Sequence, residues 1–339
     1  MDSEHISIID KTYGFASQGH IQTRDGIVFS ARNNIYILKT LNENETKKLF
    51  TYSVQEHLFA GGFLYIDKIL LTQDNHLSIQ LNDKKYYCTV YPKGNLCNIE
   101  NIEEVKFAAA ILAKMHNYSI GFTPQRAIDI VSNVDCNDNF NNFIKFDSGN
   151  LITLFKHRSD ELLRFKKSAT KSKNMFDYEY LSVADYFYSI SQNACTALTE
   201  SSYLAQCEMY SELGAICHKN YTSHNVVLNN QNNSIVNFDS ASIDLPLLDL
   251  YNILKQRMKK CGWNSTDAYE IINEYDKYRN VSEKDIEIIK ILFDFPQKIW
   301  RIVNKYYNSR KAWCEKSCLL KLEDVKNERK KIESFLKNI

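Results

Sequence analysis

The segment 216–250 constrains the fold of this chain more than any other stretch. Two short apolar runs, 225–228 and 234–238, lie on either side of a polar turn rich in asparagine, which is the pattern of a β-hairpin. His218 precedes this hairpin and Asp239 follows it. Polar residues therefore lie at both ends of the hairpin, and we interpret the rest of the chain around it.

The composition is that of an ordinary globular protein. The 339 residues include 44% hydrophobic and 24% charged side chains, with a formal net charge of +1. Because the net charge is close to zero, binding to nucleic acid or to a membrane surface by charge alone is not expected. We recognise neither a signal peptide nor an apolar run of the roughly 20 residues that span a bilayer. We therefore expect cytoplasmic synthesis, no membrane insertion, and enough chain for two lobes.

The spacing of the nine cysteines is not that of a metal or disulfide framework. None belongs to a C-x-x-C pair, and an odd number argues against complete pairing. Cys314 and Cys318 lie four residues apart but have no matching histidine or cysteine pair nearby. Reduced thiols are therefore expected.

The first 92 residues have the pattern of a small antiparallel sheet with one helix. Alternating apolar residues predict strands at 20–24, 27–31, 35–39, 64–71, 77–81 and 86–91. A period close to 3.6 predicts a helix over 43–60, which the glycines at 61 and 62 would end.

From residue 99 onwards the sequence predicts mainly helices. Apolar periodicity places them at 102–118, 178–200, 203–213, 246–261, 267–278, 283–308 with a break near Pro296, and 319–336. Mixed periodicity over 124–177 predicts a helical insertion with loops. We therefore predict an α+β chain with an N-terminal lobe at 1–92, a linker at 93–98 and a larger, mainly helical lobe at 99–339 that carries the hairpin.

The polar residues around the hairpin follow the layout of a kinase catalytic centre. There a His-x-Asp-x-x-x-x-Asn loop supplies the base and one metal ligand, and an aspartate after the next strand supplies the main metal ligand. A kinase also places a lysine on its third strand against the nucleotide phosphates and pairs it with a glutamate on the following helix. Lys39 and Glu56 are the candidates for this pair. Gln55 is an alternative to Glu56 in the helix register, and purely solvated roles for both charges stay open.

The chain also resembles the kinase-like CotS family of spore coat proteins, which belongs to the aminoglycoside phosphotransferase and choline kinase group. The segments HKNYTSHNVVL and IVNFDSASIDLPLLDLYNIL carry this resemblance. It covers roughly residues 26–313 and is weakest at 126–174. The resemblance implies a two-lobed protein-kinase-like fold, assembly into the spore coat, other coat proteins as partners, and ATP and Mg²⁺ as the cofactors of the group.

Within the catalytic loop, the resemblance assigns His218 as the loop brace and Asp249 as the residue that holds the loop from below. Asn220 stands where the family has its catalytic aspartate. An amide cannot accept the proton of a substrate hydroxyl, and loss of a general base costs on the order of 10²–10⁴ in rate.

The resemblance assigns the metal positions to Asn225, Asn237 and Asp239, and it directs Lys39 towards the nucleotide phosphates. Asn237 replaces an aspartate of the family pattern. Magnesium is usually held by one or two carboxylates together with phosphate oxygens, so one negative charge is missing here. Asp239 follows two residues later. In an extended segment it would point to the same side as Asn237 and could recruit a metal.

These departures favour a pseudokinase with a structural or interaction role in the coat, which binds either ATP and Mg²⁺ weakly or neither of them. The alternative is an active ATP-dependent phosphotransferase that acts on a small hydroxyl substrate. A protein kinase for coat components is a third possibility that rests on analogy alone.

Overall fold

The computed structural model of the protein describes residues 3–23, 25–42, 44–135, 143–171, 174–230, 232–308 and 315–339. Sequence predictions that involve Arg24, Glu43, Cys136, Trp313 and Cys314 lie outside these residues.

The described strands form one large antiparallel sheet and two small ones. They are β1 (Gln18–Gln22), β2 (Ile27–Ala31), β3 (Asn34–Thr40), β4 (Ile69–Leu70), β5 (Ile79–Leu81), β6 (Lys84–Val90), β7 (Asn95–Leu96), β8 (Ile216–Cys217), β9 (Val226–Leu228), β10 (Ser234–Ile235) and β11 (Ser242–Ile243). The large sheet has the order β1-β2-β3-β6-β4, with β5 also paired to β6. The small sheets have the orders β10-β9-β7 and β11-β8.

The remaining elements of the described chain are mainly α-helices. They are α1 (Ser3–Tyr13), α2 (Glu45–Gly61), α3 (Ile102–Ser119), α4 (Pro124–Val131), α5 (Asn150–Ala169), α6 (Met175–Glu200), α7 (Tyr203–Glu212), α8 (Leu247–Cys261), α9 (Ser265–Asp276), α10 (Glu283–Asp294), α11 (Gln297–Asn308) and α12 (Glu315–Leu336). Across the ranges given above, no helix is both long enough and apolar enough to cross a membrane.

The chain divides into two compact units. The first comprises Met1–Asp147, Met209–Gln256 and Ile271–Asn280, and the second comprises Ser148–Glu208, Arg257–Glu270 and Val281–Ile339. All eight predicted site residues lie in the first unit. The predicted boundary between two lobes at residues 93–98 is a different division of the chain and stays a prediction.

In the first unit, helix α1 packs against the large sheet. Its Ile9 and Tyr13 are buried together with Phe29 and Tyr36 of the sheet. Helix α2 begins after Asn44, whose side chain accepts a hydrogen bond from the backbone N–H of Thr46. The sequence did not predict α1, because its few apolar residues give only a short stripe.

Two strand predictions were too long, and each has a physical reason. Residues 64–68 lie outside the large sheet, and Ile66 forms an isolated bridge with Ile235 of β10 instead. The hairpin was predicted correctly, with β9 and β10 paired antiparallel. Strand β10 ends before Asn237, because that residue adopts a left-handed conformation with φ 65°.

In the second unit, helices α5, α6, α11 and α12 enclose one apolar core. Phe165, Tyr180, Ile299 and Leu322 are among its buried members. The predicted break near Pro296 is confirmed, since α10 ends at Asp294 and α11 begins at Gln297.

Candidate functional site

The loop that precedes the hairpin is fixed by a buried carboxylate. Asp249 of α8 is fully buried and accepts hydrogen bonds from the backbone N–H groups of His218 at 2.5 Å and Lys219 at 2.8 Å. His116 of α3, also fully buried, contacts the same carboxylate through Nε2 at 3.3 Å. The family resemblance assigned Asp249 to hold this loop from below, and that role stays a prediction; the structure places its carboxylate against the loop backbone.

The protonation states in this buried network follow from its hydrogen bonds. Burial lowers the pKa of His116, so its ring is neutral, with Nδ1 accepting from the Tyr275 hydroxyl at 2.8 Å and Nε2–H donating to Asp249. Burial alone would raise the pKa of Asp249, but the hydrogen bonds from His116 and from the His218 backbone lower it. Cys217 lies within 4.8 Å of this pair. Burial raises the pKa of its thiol, which donates to a backbone carbonyl, so the cluster is a hydrogen-bonded brace.

His218 connects the loop to the end of the hairpin. Its ring is buried, its Nε2 lies 2.9 Å from the carbonyl oxygen of Val236, and its Nδ1 accepts from the backbone N–H of Asn220 at 3.3 Å. Asn220 is exposed. The residue at the position of the catalytic base is thus reachable from solvent, but it carries an amide.

The three residues at the predicted metal positions already have donors on their oxygens. Asn237 Oδ1 accepts from Lys39 Nζ at 3.3 Å, and Asn225 Oδ1 accepts from Asn237 Nδ2 at 2.8 Å. Asp239 Oδ1 accepts from Lys48 Nζ at 2.6 Å. The structure therefore brings Asn225, Asn237 and Lys39 together.

Asn237 and Asp239 line the same cavity, but the extended segment that the prediction assumed is not present. Asn237 is in the left-handed region, and residues 238–240 form a short 3₁₀ turn. This turn directs the carboxylate of Asp239 to Lys48 on α2.

The partner of Lys39 was also predicted incorrectly. Among the described residues, no ion pair joins Lys39 to Glu56, since the Glu56 carboxylate pairs with Lys68 Nζ at 2.9 Å. Lys39 Nζ lies 3.5 Å from Asp67 Oδ2 instead. The helix register explains the difference, because the buried Gln55 faces the site and donates to Asp67 Oδ1 at 3.1 Å.

Asp67 connects these groups as a buried hub. Besides Lys39 and Gln55, it accepts the backbone N–H of Asn237 at 3.0 Å, which secures the left-handed residue. Burial raises the pKa of Asp67, and the charge of Lys39 opposes this shift. The carboxylate therefore depends on its donors to stay ionised.

The donor set at the metal positions does not fit Mg²⁺. This hard cation requires oxygen ligands and usually at least one or two carboxylates. Here two of the three oxygens belong to neutral amides that are hydrogen bonded, and the one carboxylate is paired with an ammonium. A metal would have to compete with these hydrogen bonds and approach the charge of Lys48.

A cavity of about 650 Å³ adjoins this network within the first unit. Its lining includes Ile37, Leu96 and Val227, and also the ammonium-bearing Lys39 and Lys48. Small-molecule pockets have volumes of roughly 300–1,000 Å³ and combine apolar walls with a few polar groups, so this cavity could take a small ligand.

Sequence reasoning missed Asp67 and Lys48. Asp67 lies in an irregular connection between α2 and β4, where no sequence pattern identifies a site residue. For Lys48 a signal existed, since it lies seven residues before Gln55 and thus on the same face of α2. Residues 48–55 are all buried, so the apolar period that predicted the helix did not show that the polar Lys48 and Gln55 also face inward.

The fold is that of the aminoglycoside phosphotransferase group of kinase-like proteins. An aminoglycoside phosphotransferase from Alicyclobacillus acidocaldarius matches 97% of this chain and 92% of its own, with a TM-score of 0.78 at 21% identity. A spectinomycin phosphotransferase in complex with ADP and spectinomycin covers 99% of this chain and 97% of its own, with a TM-score of 0.51 at 15% identity. At these identities the likeness concerns the fold alone.

The chain belongs to the family described as "Spore coat putative kinase YutH", whose model matches residues 140–339. It is also similar to spore coat protein S of Bacillus subtilis (strain 168), with 25% identity over 171 residues. That match spans 50% of this chain and about half (49%) of the length of the relative. The resemblance to kinase-like spore coat proteins that the sequence predicted is thereby confirmed.

Proposed function

We propose that this protein is a catalytically impaired kinase-fold component of the spore coat that acts by binding other coat proteins. One observation carries the proposal. At the positions that would hold a metal, Asn237 Oδ1, Asn225 Oδ1 and Asp239 Oδ1 already accept hydrogen bonds, from Lys39, Asn237 and Lys48 respectively.

The chemistry of phosphoryl transfer gives the physical reason. The reaction depends on positioning and on compensation of the phosphate charges. Asn220 cannot act as the base that accepts the hydroxyl proton, a loss of about 10²–10⁴ in rate. Asn237 removes a further negative charge from the metal position, so that a single carboxylate, Asp239, is left there. Both deficits act on the same step.

The coat assignment rests on the family and on the coat relative described above. We propose that the protein is synthesised in the cytoplasm and then assembled into the coat by protein contacts. Membrane insertion and nucleic-acid binding are not part of the proposal. The net charge of +1 offers no general attraction to either polyanion.

One observation favours a second function, that of an active small-molecule phosphotransferase. The 650 Å³ cavity is large enough for a nucleotide-sized ligand, and Lys39 lines it. In this alternative the cavity would bind ATP, and a hydroxyl compound would be the acceptor.

A phosphotransfer assay separates the two functions. The purified protein is incubated with ATP, Mg²⁺ and a panel of sugars, amino alcohols and aminoglycosides, beside Lys39→Ala and a matched Lys84→Ala control, since Lys84 is an exposed lysine of β6. We expect no phosphorylated product from any of the three proteins. Product that forms with the wild type and the control but not with Lys39→Ala would establish the second function instead.

A further inference from the structure

Lys48 is a buried ammonium next to the cavity. Only 3% of the residue is exposed. Its Nζ donates to Asp239 Oδ1 at 2.6 Å and to the Tyr87 hydroxyl at 3.2 Å, and it lies 4.3 Å from the centroid of the Tyr87 ring. An acceptor, a carboxylate charge and an aromatic face together compensate the cost of burying this charge.

Local helix preference does not explain a lysine at this position. Lys48 lies at the end of the first turn of α2, where the helix dipole disfavours cations. The preceding Lys47 is exposed to solvent. Since burial and the dipole both act against Lys48, its tertiary contacts must hold it in place.

These contacts bear directly on metal binding. A divalent cation at Asp239 would approach an ammonium that already occupies the same carboxylate, and two cations so close repel each other. Lys48 cannot turn into solvent without breaking its buried contacts. Because Asp239 is the one carboxylate among the three metal positions, its pairing decides whether a metal can bind there.

We propose that the Lys48 ammonium takes the place of a divalent cation at Asp239, so that the first unit carries its own fixed cation. The proposal rests on the proposed function, in which this cleft does not work with Mg²⁺, and it identifies the group that excludes the metal. It predicts that removal of this one charge turns Asp239, with the oxygens of Asn225 and Asn237 nearby, into a weak site for divalent cations.

The test uses Mn²⁺ alone, without nucleotide, and counts free Mn²⁺ by electron paramagnetic resonance. The proteins are the wild type, Lys48→Met, the matched control Lys47→Met, Asp239→Asn, and Lys48→Met combined with Asp239→Asn. We expect Lys48→Met to bind Mn²⁺ about tenfold more tightly than the wild type, or better, where tenfold corresponds to about 1.4 kcal/mol. The control and the double variant should behave like the wild type.

Two results would overturn the proposal. One is that folded Lys48→Met binds Mn²⁺ no better than Lys47→Met does. The other is that the wild type already binds Mn²⁺ through Asp239, shown by loss of binding in Asp239→Asn. If circular dichroism shows that Lys48→Met does not fold, Lys48→Gln provides the same comparison, since it keeps a donor towards Asp239 but removes the charge. Because no nucleotide is present, failure here is distinct from failure of the proposed function, which only phosphotransfer would reveal.

Discussion

Replacement of Asp249 by asparagine should destabilise the protein strongly without changing the size of the side chain. The carboxylate accepts the backbone N–H groups of His218 and Lys219 on separate oxygens, and His116 donates to one of them. An asparagine offers one acceptor oxygen and one NH₂ group. In either orientation, at least one backbone N–H would face another donor in a site that is closed to water.

The magnitude follows from these contacts. An orphaned buried donor costs about 1–3 kcal/mol. The charge that strengthens the remaining hydrogen bonds is lost as well, and removal of one partner from a buried charged network costs about 3–5 kcal/mol. We therefore expect the free energy of unfolding to fall by about 3–5 kcal/mol in Asp249→Asn.

Urea unfolding followed by circular dichroism measures this difference. The matched control is Asp83→Asn, which makes the same chemical change at an exposed position of the first unit. The control should stay within about 0.5 kcal/mol of the wild type, as surface substitutions usually do. If Asp249→Asn unfolded at the same urea concentration as the control, the carboxylate would not be the support of the loop, and the reasoning would be refuted.

Three further predictions concern backbone strain, pH and thiol reactivity. In urea unfolding, Gly94→Ala should lower the free energy of unfolding by about 1–3 kcal/mol more than Gly121→Ala does. Both glycines have positive φ, but only at Gly94 would an added Cβ meet a backbone oxygen, at 2.3 Å. Burial raises the pKa of Asp67 in the native state above its ordinary 3.8. As the pH falls, the Asp67 carboxylate is therefore protonated in the native state before it is protonated in the unfolded state. The stability of the wild type relative to Asp67→Asn should therefore rise as the pH falls from neutrality towards about 4, and a flat difference would contradict this. The exposed Cys261 should react with iodoacetamide well before the buried Cys97, because burial raises the pKa of the Cys97 thiol to about 12. Mass spectrometry measures the two rates, and equal rates would contradict the burial of Cys97.

The sequence allowed the hairpin and the polar residues around it to be located, because they depend on spacing along the chain. The loop from His218 to Asn225, the hairpin and Asp249 follow one another at fixed intervals, so a short motif specifies their neighbourhood. Lys39 could be placed because strand alternation fixes the end of β3. The large antiparallel sheet and the break at Pro296 were predictable for the same reason, since period and turn residues are local signals.

The parts that were not predictable depend on tertiary contacts. Residues 48–55 of α2 are all buried, so the apolar period of this helix could not show that Gln55 rather than Glu56 faces the site. The left-handed backbone of Asn237 has a partner 170 positions away in sequence, the carboxylate of Asp67. Lys48 is compensated by Asp239 and Tyr87 from two other elements, and no local pattern joins them. Each of these features combines residues that meet only once the chain is folded.

The claim that the cleft is not a Mg²⁺–ATP site is tested most directly by thermal unfolding with millimolar ATP, in the presence of Mg²⁺ or of EDTA, for the wild type and Lys39→Ala. A ligand at 100 times its dissociation constant would add about 2.7 kcal/mol to the unfolding free energy. That corresponds to a rise in Tm on the order of 2–4 °C. We predict no rise that requires Mg²⁺. A rise that appears with Mg²⁺, disappears with EDTA and is absent in Lys39→Ala would contradict the account.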